Sequence, residues 1–183
     1  AAPGVGVLST IPKWEMNTVS VDDLELSVNH VEFAAYGSAL GTLVDGGLCL
    51  TTGDWAGEVV LCSRGDISFY DKVMNVQNSG GVAAIIYNNI VNEDLFATLG
   101  EGNSSEIVAV STTMENGSLL LDKVGLTTTV ESYLLESPVS GYEAWGGTSM
   151  ATPHVSGVAA LIWSADPAWS NVQIREAMIE TVI

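Results

Sequence analysis

Residues 146–160 are Gly146-Gly147-Thr148-Ser149-Met150-Ala151-Thr152-Pro153-His154-Val155-Ser156-Gly157-Val158-Ala159-Ala160, and the rest of the chain is interpreted around them. The two adjacent glycines lack Cβ atoms, so the backbone there can approach another group closely. Thr148 is expected to cap a helix over residues 149–164. Ser149 would then lie at a helix N-terminus, where free N–H groups and the helix dipole stabilise a developing negative charge.

The predicted helix is apolar on nearly all sides from Val155 to Trp163, which is typical of a buried helix. Sixteen residues are too few for a comfortable membrane span, and polar residues and Pro153 interrupt the first half. Pro153 also removes one backbone hydrogen bond and predicts a small bend. Taken alone, this pattern is satisfied by an ordinary capped core helix.

The literal string changes that interpretation. Eleven consecutive positions, from Gly147 to Gly157, resemble the nucleophile motif of the subtilisin-like serine proteases, or subtilases. The resemblance implies that Ser149 is the nucleophile and that its own N–H is one oxyanion donor. Gly146, Gly147 and Thr148 would form the turn that leaves room for a substrate backbone. The motif also contains His154. In that family the histidine at this position is not the catalytic base, so His154 is expected to be a structural core histidine.

Composition restricts the class of partner. The 183 residues include 22 Asp and Glu against 5 Lys and Arg, a net charge of −17, and 47% of them are hydrophobic. Because phosphate binding needs clustered cations, a nucleic-acid or anionic-membrane partner is not expected. Protein or peptide substrates and a secreted, extracellular location fit better. No metal site is predicted, although calcium held by oxygen ligands is a candidate for the parent protein.

Cys49 and Cys62 are the two cysteines of the chain. They form either a disulfide or two free buried thiols. A disulfide here would stabilise the folded state by roughly 3 kcal/mol in the chain-entropy model. The acidic, secreted-type composition favours the disulfide.

The first residues supply a second resemblance. The segment Ala2-Pro3-Gly4-Val5-Gly6-Val7-Leu8-Ser9-Thr10 is expected to be a short strand and is similar to one that subtilases carry shortly before the nucleophile. Here more than 130 residues separate the two, so an insertion is expected. The predicted division is 1–14 and 138–183 for the catalytic part and 15–137 for the insert. The resemblance implies an α/β catalytic part with a parallel sheet.

The insert is predicted to be α+β and mostly strands. Its expected elements are edge strands within 16–33, strands at 57–62, 82–87, 107–111 and 126–130, a helix over 67–78 and a short helix from 115. Phe69, Val73 and Val76 share one face of the first helix, which Gly80 or Gly81 ends. The polar loop 92–105 is expected to be exposed.

This order resembles a protease-associated (PA) domain. The resemblance is carried by Gly57-Glu58-Val59-Val60-Leu61-Cys62-Ser63-Arg64-Gly65, Phe69-x-x-Lys72, Gly80-Gly81-Val82-Ala83-Ala84-Ile85-Ile86-Tyr87-Asn88-Asn89 and Ile107-Val108-Ala109-Val110-Ser111. It implies a role in substrate access or protein contact and supplies no catalytic group.

A last helix is predicted after Ser170, because Ser170 and Gln173 have the spacing of a capping box. Val172, Ala177 and Met178 are expected to face inward, whereas Arg175, Glu176 and Glu180 are expected outside.

A serine hydroxyl needs a base within hydrogen-bond reach. The two histidines are His30, in the insert, and His154, and neither stands in the motif that subtilases use for the base. The aspartate segment and the oxyanion asparagine segment of the family are also missing. The chain is therefore expected to be a C-terminal fragment of the catalytic domain with its insert, inactive alone, whose missing N-terminal part could be a partner.

Two alternatives stay open. The chain could be a non-enzymatic module that binds protein or peptide, although that gives no reason for Gly147-Thr148-Ser149. It could also be a serine hydrolase of another fold, although those usually carry Gly-x-Ser-x-Gly and here Ala151 takes the second glycine's place.

Overall fold

The computed structural model describes residues 4–10, 13–136 and 142–180, and the chain divides into two compact units. The larger unit is Glu15–Leu135, and the smaller unit combines Ala1–Trp14 with Glu136–Ile183. The end of the insert, expected near residue 137, lies outside the described residues.

The larger unit is built on an eight-stranded mixed sheet with the strand order β3-β2-β9-β5-β6-β7-β8-β4. Strands β5 to β8 are parallel, and β4 and β9 pair antiparallel with β8 and β5. The strands are β2 Lys13–Val21, β3 Leu24–Ser27, β4 Asn29–His30, β5 Gly37–Asp45, β6 Val59–Ser63, β7 Ala83–Tyr87, β8 Val108–Thr112 and β9 Thr127–Glu136.

Two helices cover opposite faces of the parallel strands. Helix α1, Phe69–Asn78, connects β6 to β7, and helix α2, Met114–Leu121, follows β8. Alternate residues of a strand face opposite sides of the sheet, so Val59 packs in the cluster that contains Leu120 of α2, and Val60 in the cluster that contains Val73 of α1. Both faces are therefore buried, which explains why these strands are continuous apolar runs.

The α/β class is confirmed. The two helices and the strands predicted within residues 15–137 are present, and most of their ends shift by one or two residues. However, β9 continues to Glu136, six residues beyond the predicted end at 130, and β2 begins at Lys13, three residues before the predicted 16–33. Helix α1 begins after Ser68, whose side chain accepts a hydrogen bond from the Asp71 N–H, and Gly80 follows its end with φ +77°. Strand β5 was not predicted at all.

The expected disulfide between Cys49 and Cys62 is present, with a Cα–Cα distance of 5.6 Å. Two side chains of helix α1 donate hydrogen bonds to the backbone at the first cysteine of this disulfide and at the residue before it. Asn75 donates to the Cys49 carbonyl over 2.9 Å, and the Lys72 ammonium donates to the carbonyl of Leu48. Lys72 is completely buried, and this burial lowers its pKa against the opposing attraction of Asp66.

The expectation that the loop 92–105 is exposed was wrong for three of its apolar residues, although Phe96 is 75% exposed. Leu95, Ala97 and Leu99 are buried, because this segment pairs by its backbone with Glu32. The Glu32 N–H donates to Ala97 O and the Leu99 N–H donates to Glu32 O, over 2.9 and 3.0 Å.

The smaller unit contains two strands and two helices among its described residues. Strand β1, Val7–Thr10, pairs antiparallel with β10, Tyr142–Trp145, and helices α3, Thr148–Ala165, and α4, Asn171–Glu180, follow. The capping box is confirmed, since the Ser170 N–H donates to Gln173 Oε1 over 2.9 Å.

Helix α4 is less buried than expected. Arg175, Glu176 and Glu180 are exposed, as predicted, and Ala177 and Met178 are half-buried. Val172 is 58% exposed, so its predicted inward position was wrong. In the described ranges, no helix is both long and apolar enough to cross a membrane.

Candidate active site around Ser149

The strand pair β1–β10 brings the first residues of the chain to the turn before Ser149. Val7 lies opposite Trp145, and the Gly147 N–H donates to the Gly4 carbonyl over 2.6 Å. A Cβ atom on Gly4 would lie 2.9 Å from the Gly147 oxygen, so only glycine fits there. Both segments resemble the same family in sequence, but that resemblance does not predict this contact.

The helix N-terminus differs from the prediction by one residue. Gly147, not Thr148, occupies the N-cap position, and no side chain caps the helix. The Met150 and Ala151 N–H groups both donate to the Gly147 carbonyl, over 3.1 and 3.2 Å. Gly147 has φ +154°, a value that disfavours residues with a Cβ, and Thr148 consequently becomes the first helical residue.

Ser149 is exposed in the first turn of α3. Within the described part of the chain its hydroxyl makes no hydrogen bond, and the N–H groups of Thr148 and Ser149 have no acceptor. A free hydroxyl beside two free N–H groups at a positive helix end is an arrangement that can hold an oxyanion. Ser149 is therefore accessible among the described residues.

His154 is not a core residue, and that expectation was wrong. The imidazole is exposed, and its Nδ1 lies 2.9 Å from the carbonyl oxygen of Met150. A carbonyl only accepts, so Nδ1 carries the proton in this contact. Five residues along a helix turn the side chain by about 500°, so His154 and Ser149 point in different directions.

The burial predicted for α3 was wrong for this chain. None of its side chains is buried, and the exposed fraction reaches 71% at Leu161 and 55% at Trp163. The sequence pattern is that of a buried helix, but the described elements, α4 included, leave most of its surface exposed.

His30 belongs to the larger unit and is held there. Its Nδ1 lies 2.9 Å from Ser132 Oγ, and its ring stacks on Tyr36 with 3.9 Å between the centroids. Burial lowers the pKa of His30, and the Glu15 carboxylate opposes that shift. In the part of the chain that the structure describes, neither histidine contacts Ser149. The described residues also contain no group of three or more side chains of the kinds that bind metals.

Comparison with a model of the subtilase family gives a match over residues 73–182, more than half of the chain. The chain belongs to the subtilase family. The match includes the whole Ser149 segment.

Curated relatives are proteases. The chain is 24% identical over 170 residues to the minor extracellular protease Vpr of Bacillus subtilis, a match that covers 71% of this chain and 21% of that protein. It is 59% identical over 44 residues to the alkaline elastase YaB of a Bacillus strain, covering 24% of this chain and 12% of that protein. The chain thus spans about a fifth or less of these relatives.

Two solved structures are similar in fold. A psychrophilic subtilisin-like protease, Apa1 of an Antarctic Pseudoalteromonas, matches 99% of this chain with 28% identity and a TM-score of 0.56, over 47% of its own chain. BSAP, a zinc aminopeptidase from Bacillus subtilis, matches 70% of this chain with 26% identity and a TM-score of 0.60, over 32% of its own chain.

Proposed function

We propose that this chain is part of a secreted serine endopeptidase in which Ser149 attacks the peptide carbonyl to form an acyl-enzyme. The observation that carries the proposal is the accessible Ser149 hydroxyl at a helix N-terminus with two free N–H groups, in a chain of the subtilase family. These N–H groups would stabilise the oxyanion as it forms. Gly146 and Gly147 would leave room for the substrate backbone.

The base that takes the serine proton comes from outside the described residues in this proposal. His30 and His154 are both engaged elsewhere, and the subtilase relatives are much longer than this chain. A companion part of the catalytic domain would supply the histidine, the aspartate and a second oxyanion donor. The same part would cover the exposed apolar face of α3, since burying such side chains contributes roughly 1.5–3 kcal/mol each. The isolated chain would be inactive.

The larger unit is proposed to be a PA insert between two pieces of the catalytic domain, with a role in substrate access or protein contact. Two observations support this. The unit is compact, with its own two-sided core, and the match to the subtilisin-like protease Apa1 covers both units. Secretion is supported by the disulfide and by the name of the extracellular relative Vpr.

The test is the mass of the protein after reaction with a fluorophosphonate, made on the full-length protein purified from its source. An adduct on Ser149 is expected, because the reagent labels a serine only when a base and an oxyanion site are assembled around it. Labelling of another residue, with Ser149 free, would overturn the assignment.

Two variants make the test specific. Ser149→Ala should abolish labelling and peptide hydrolysis with little change in melting temperature, since the hydroxyl has no partner among the described residues. Ser156→Ala, another exposed serine of α3, should leave both unchanged. Full activity in the Ser149→Ala protein would favour the non-enzymatic binding module instead.

A further inference from the structure

Strand β5 is held by different partners at its two ends. At the C-terminal end, Leu43 lies opposite Val59 at the start of β6. At the other end, Ala35 forms a parallel bridge with Val108 at the start of β8. The residues between them pair with β9 on one side, from Gly37 to Thr42, but have no strand partner in the described chain on the other side. β5 therefore passes across the N-terminal ends of the parallel strands and leaves a gap.

A solvent-open cleft of about 490 Å³ fills this gap. Its walls are residues 36–40 on one side and Gly81, Val82 and residues 106–108 on the other. The volume is within the range of roughly 300–1,000 Å³ found for ligand pockets. Every lining residue belongs to the larger unit, whereas Ser149 belongs to the smaller one.

The backbone of β5 presents hydrogen-bonding groups to this cleft. The Leu43 N–H donates to Leu126 O, and the Leu43 carbonyl accepts from Gly125, so Leu43 faces the side of β9. Gly125 and Leu126 together oppose Leu43, which is a bulge at the end of the ladder, but from Thr42 back to Gly37 the register is continuous. Because the hydrogen-bonding groups alternate along an antiparallel strand, those of Ser38 and Leu40 face the side away from β9. Neither residue makes a hydrogen bond outside the β5–β9 ladder in the described chain. This edge is therefore available for another strand.

Tyr36 forms a fixed aromatic wall of the cleft. Its ring stacks on His30 at an interplanar angle of 9°, and its hydroxyl donates to Glu15 over 3.1 Å. Burial and Glu15 raise the pKa of Tyr36 to about 12, so the phenol stays neutral. With its position set by these two contacts, the ring is organised before any ligand binds, and it is still 41% exposed.

Glu106 provides charge at the other wall. Its N–H donates to Gln77 over 2.7 Å, which fixes the backbone there, and within the described residues its carboxylate forms no ion pair. Tyr36 and Glu106 both line the cleft, and an aromatic residue together with an acidic one is suited to an ammonium or guanidinium group. The net charge of −17 attracts the same kind of ligand over longer distances.

We propose that this cleft binds an extended, basic segment of a polypeptide substrate, which adds as a strand along Ser38 and Leu40 and places a lysine or arginine against Tyr36 and Glu106. Strand addition supplies affinity through the backbone, and the side-chain contacts supply selectivity. A second copy of this chain is a poor occupant, since it has only 5 Lys and Arg, of which Lys72 is buried and Lys123 is paired with Asp22 and Asp23. The inference rests on the contact role proposed for the larger unit and not on Ser149.

The experiment is an NMR titration of the ¹⁵N-labelled Ser149→Ala chain with the peptide acetyl-Thr-Val-Lys-Val-Thr-amide. Saturable shifts are expected at the amides of Ser38, Leu40 and Val82. A peptide with Glu in place of Lys should bind on the order of tenfold more weakly, as expected for loss of one cation contact. A peptide N-methylated at both valines keeps its charge but cannot complete the ladder, so it should not bind.

Variants locate the site. Glu106→Gln should weaken the lysine peptide several-fold and should remove most of its advantage over the Glu peptide. Glu101→Gln changes the net charge equally at an exposed position outside the cleft and should have no such effect. Shifts away from the cleft, or equal binding of the N-methylated peptide, would overturn the proposal.

No step of the titration requires catalysis. Loss of peptide binding together with intact fluorophosphonate labelling of Ser149 would therefore remove the cleft proposal and leave the nucleophile assignment in place. Binding in the cleft without labelling of Ser149 in the full-length protein would do the reverse.

Discussion

Ser132 and Ser149 differ in solvent exposure, and only one of them lies beside a histidine. Ser132 Oγ lies 2.9 Å from His30 Nδ1, a distance compatible with a nucleophile and its base. Ser132 is completely buried, however, and its hydroxyl donates to Asn17 Oδ1 over 2.7 Å. The His30 Nδ1 must then donate its own proton to Ser132 Oγ, so His30 cannot act as a base that removes the Ser132 proton. Ser149 has the exposure that Ser132 lacks, which is why the proposed chemistry is assigned to Ser149.

The lowered pKa of His30 predicts a pH-dependent stability. Between the folded-state pKa and the ordinary value of 6.5, the unfolded chain binds a proton that the folded chain does not. The free energy of unfolding should therefore fall as the pH decreases below 6.5, and this contribution should be absent above it. Denaturant unfolding at a series of pH values, compared with His30→Gln, measures the effect.

The His30→Gln variant should lose only this part of the pH dependence, because glutamine does not titrate. An NMR titration of the wild-type imidazole that gave a pKa above 6.5 would contradict the prediction.

At the scale of the element, helix α2 is fixed by a close contact at Gly117. A Cβ on Gly117 would lie 2.4 Å from the Tyr87 ring, far inside a normal contact. Glycine to alanine usually stabilises a helix by about 1 kcal/mol. Here Gly117→Ala should destabilise the protein by about 1–3 kcal/mol, as overpacking does. Thermal unfolding measures the change.

Ser118→Ala is the matched control, since Ser118 is the next residue of α2 and is exposed. Its effect should stay within about 0.5 kcal/mol, which is usual for surface substitutions. A stabilised Gly117→Ala protein would show that α2 does not pack on Tyr87.

The loop closed by Cys49 and Cys62 is a second element with a measurable contribution. The two cysteines are 13 residues apart, so reduction should lower the free energy of unfolding by roughly 3 kcal/mol in the chain-entropy model. Urea unfolding with and without a reductant measures this. The Cys49→Ala/Cys62→Ala protein should unfold at the lower stability and should not respond to the reductant, and a response there would point to another cause.

At the scale of the whole molecule, the two units differ in how much of their apolar surface is covered. The larger unit has a buried cluster on each face of its sheet, whereas α3 and α4 have no buried side chain in this chain. The larger unit should therefore fold by itself. Residues 15–135 alone should give a cooperative thermal transition and should retain the disulfide.

Circular dichroism and NMR of residues 15–135 test this expectation. The amide signals of β6 to β8 should overlay those of the full chain. A disordered spectrum would mean that the larger unit depends on the rest of the chain and is not an inserted domain.

The sequence by itself determined the features that depend on near neighbours along the chain. The spacing of Val73 and Val76 identified α1, the run 82–87 identified β7, and Ser170 with Gln173 identified the start of α4. Ser149 could be proposed as the nucleophile because its motif is continuous in sequence. Each of these signals is complete within about a dozen residues, so it requires no knowledge of distant segments.

Only the tertiary structure decided the features that require remote partners. Strand β5 has a weak local pattern and exists because β9 and β6 pair with it from distant parts of the chain. Leu95 is buried because its segment pairs with Glu32, and the cleft beside β5 arises where that strand diverges from its neighbours. Helix α3 is exposed because too few of the described elements pack against it. An apolar pattern states that a surface favours burial, but whether it is buried depends on the elements that reach it.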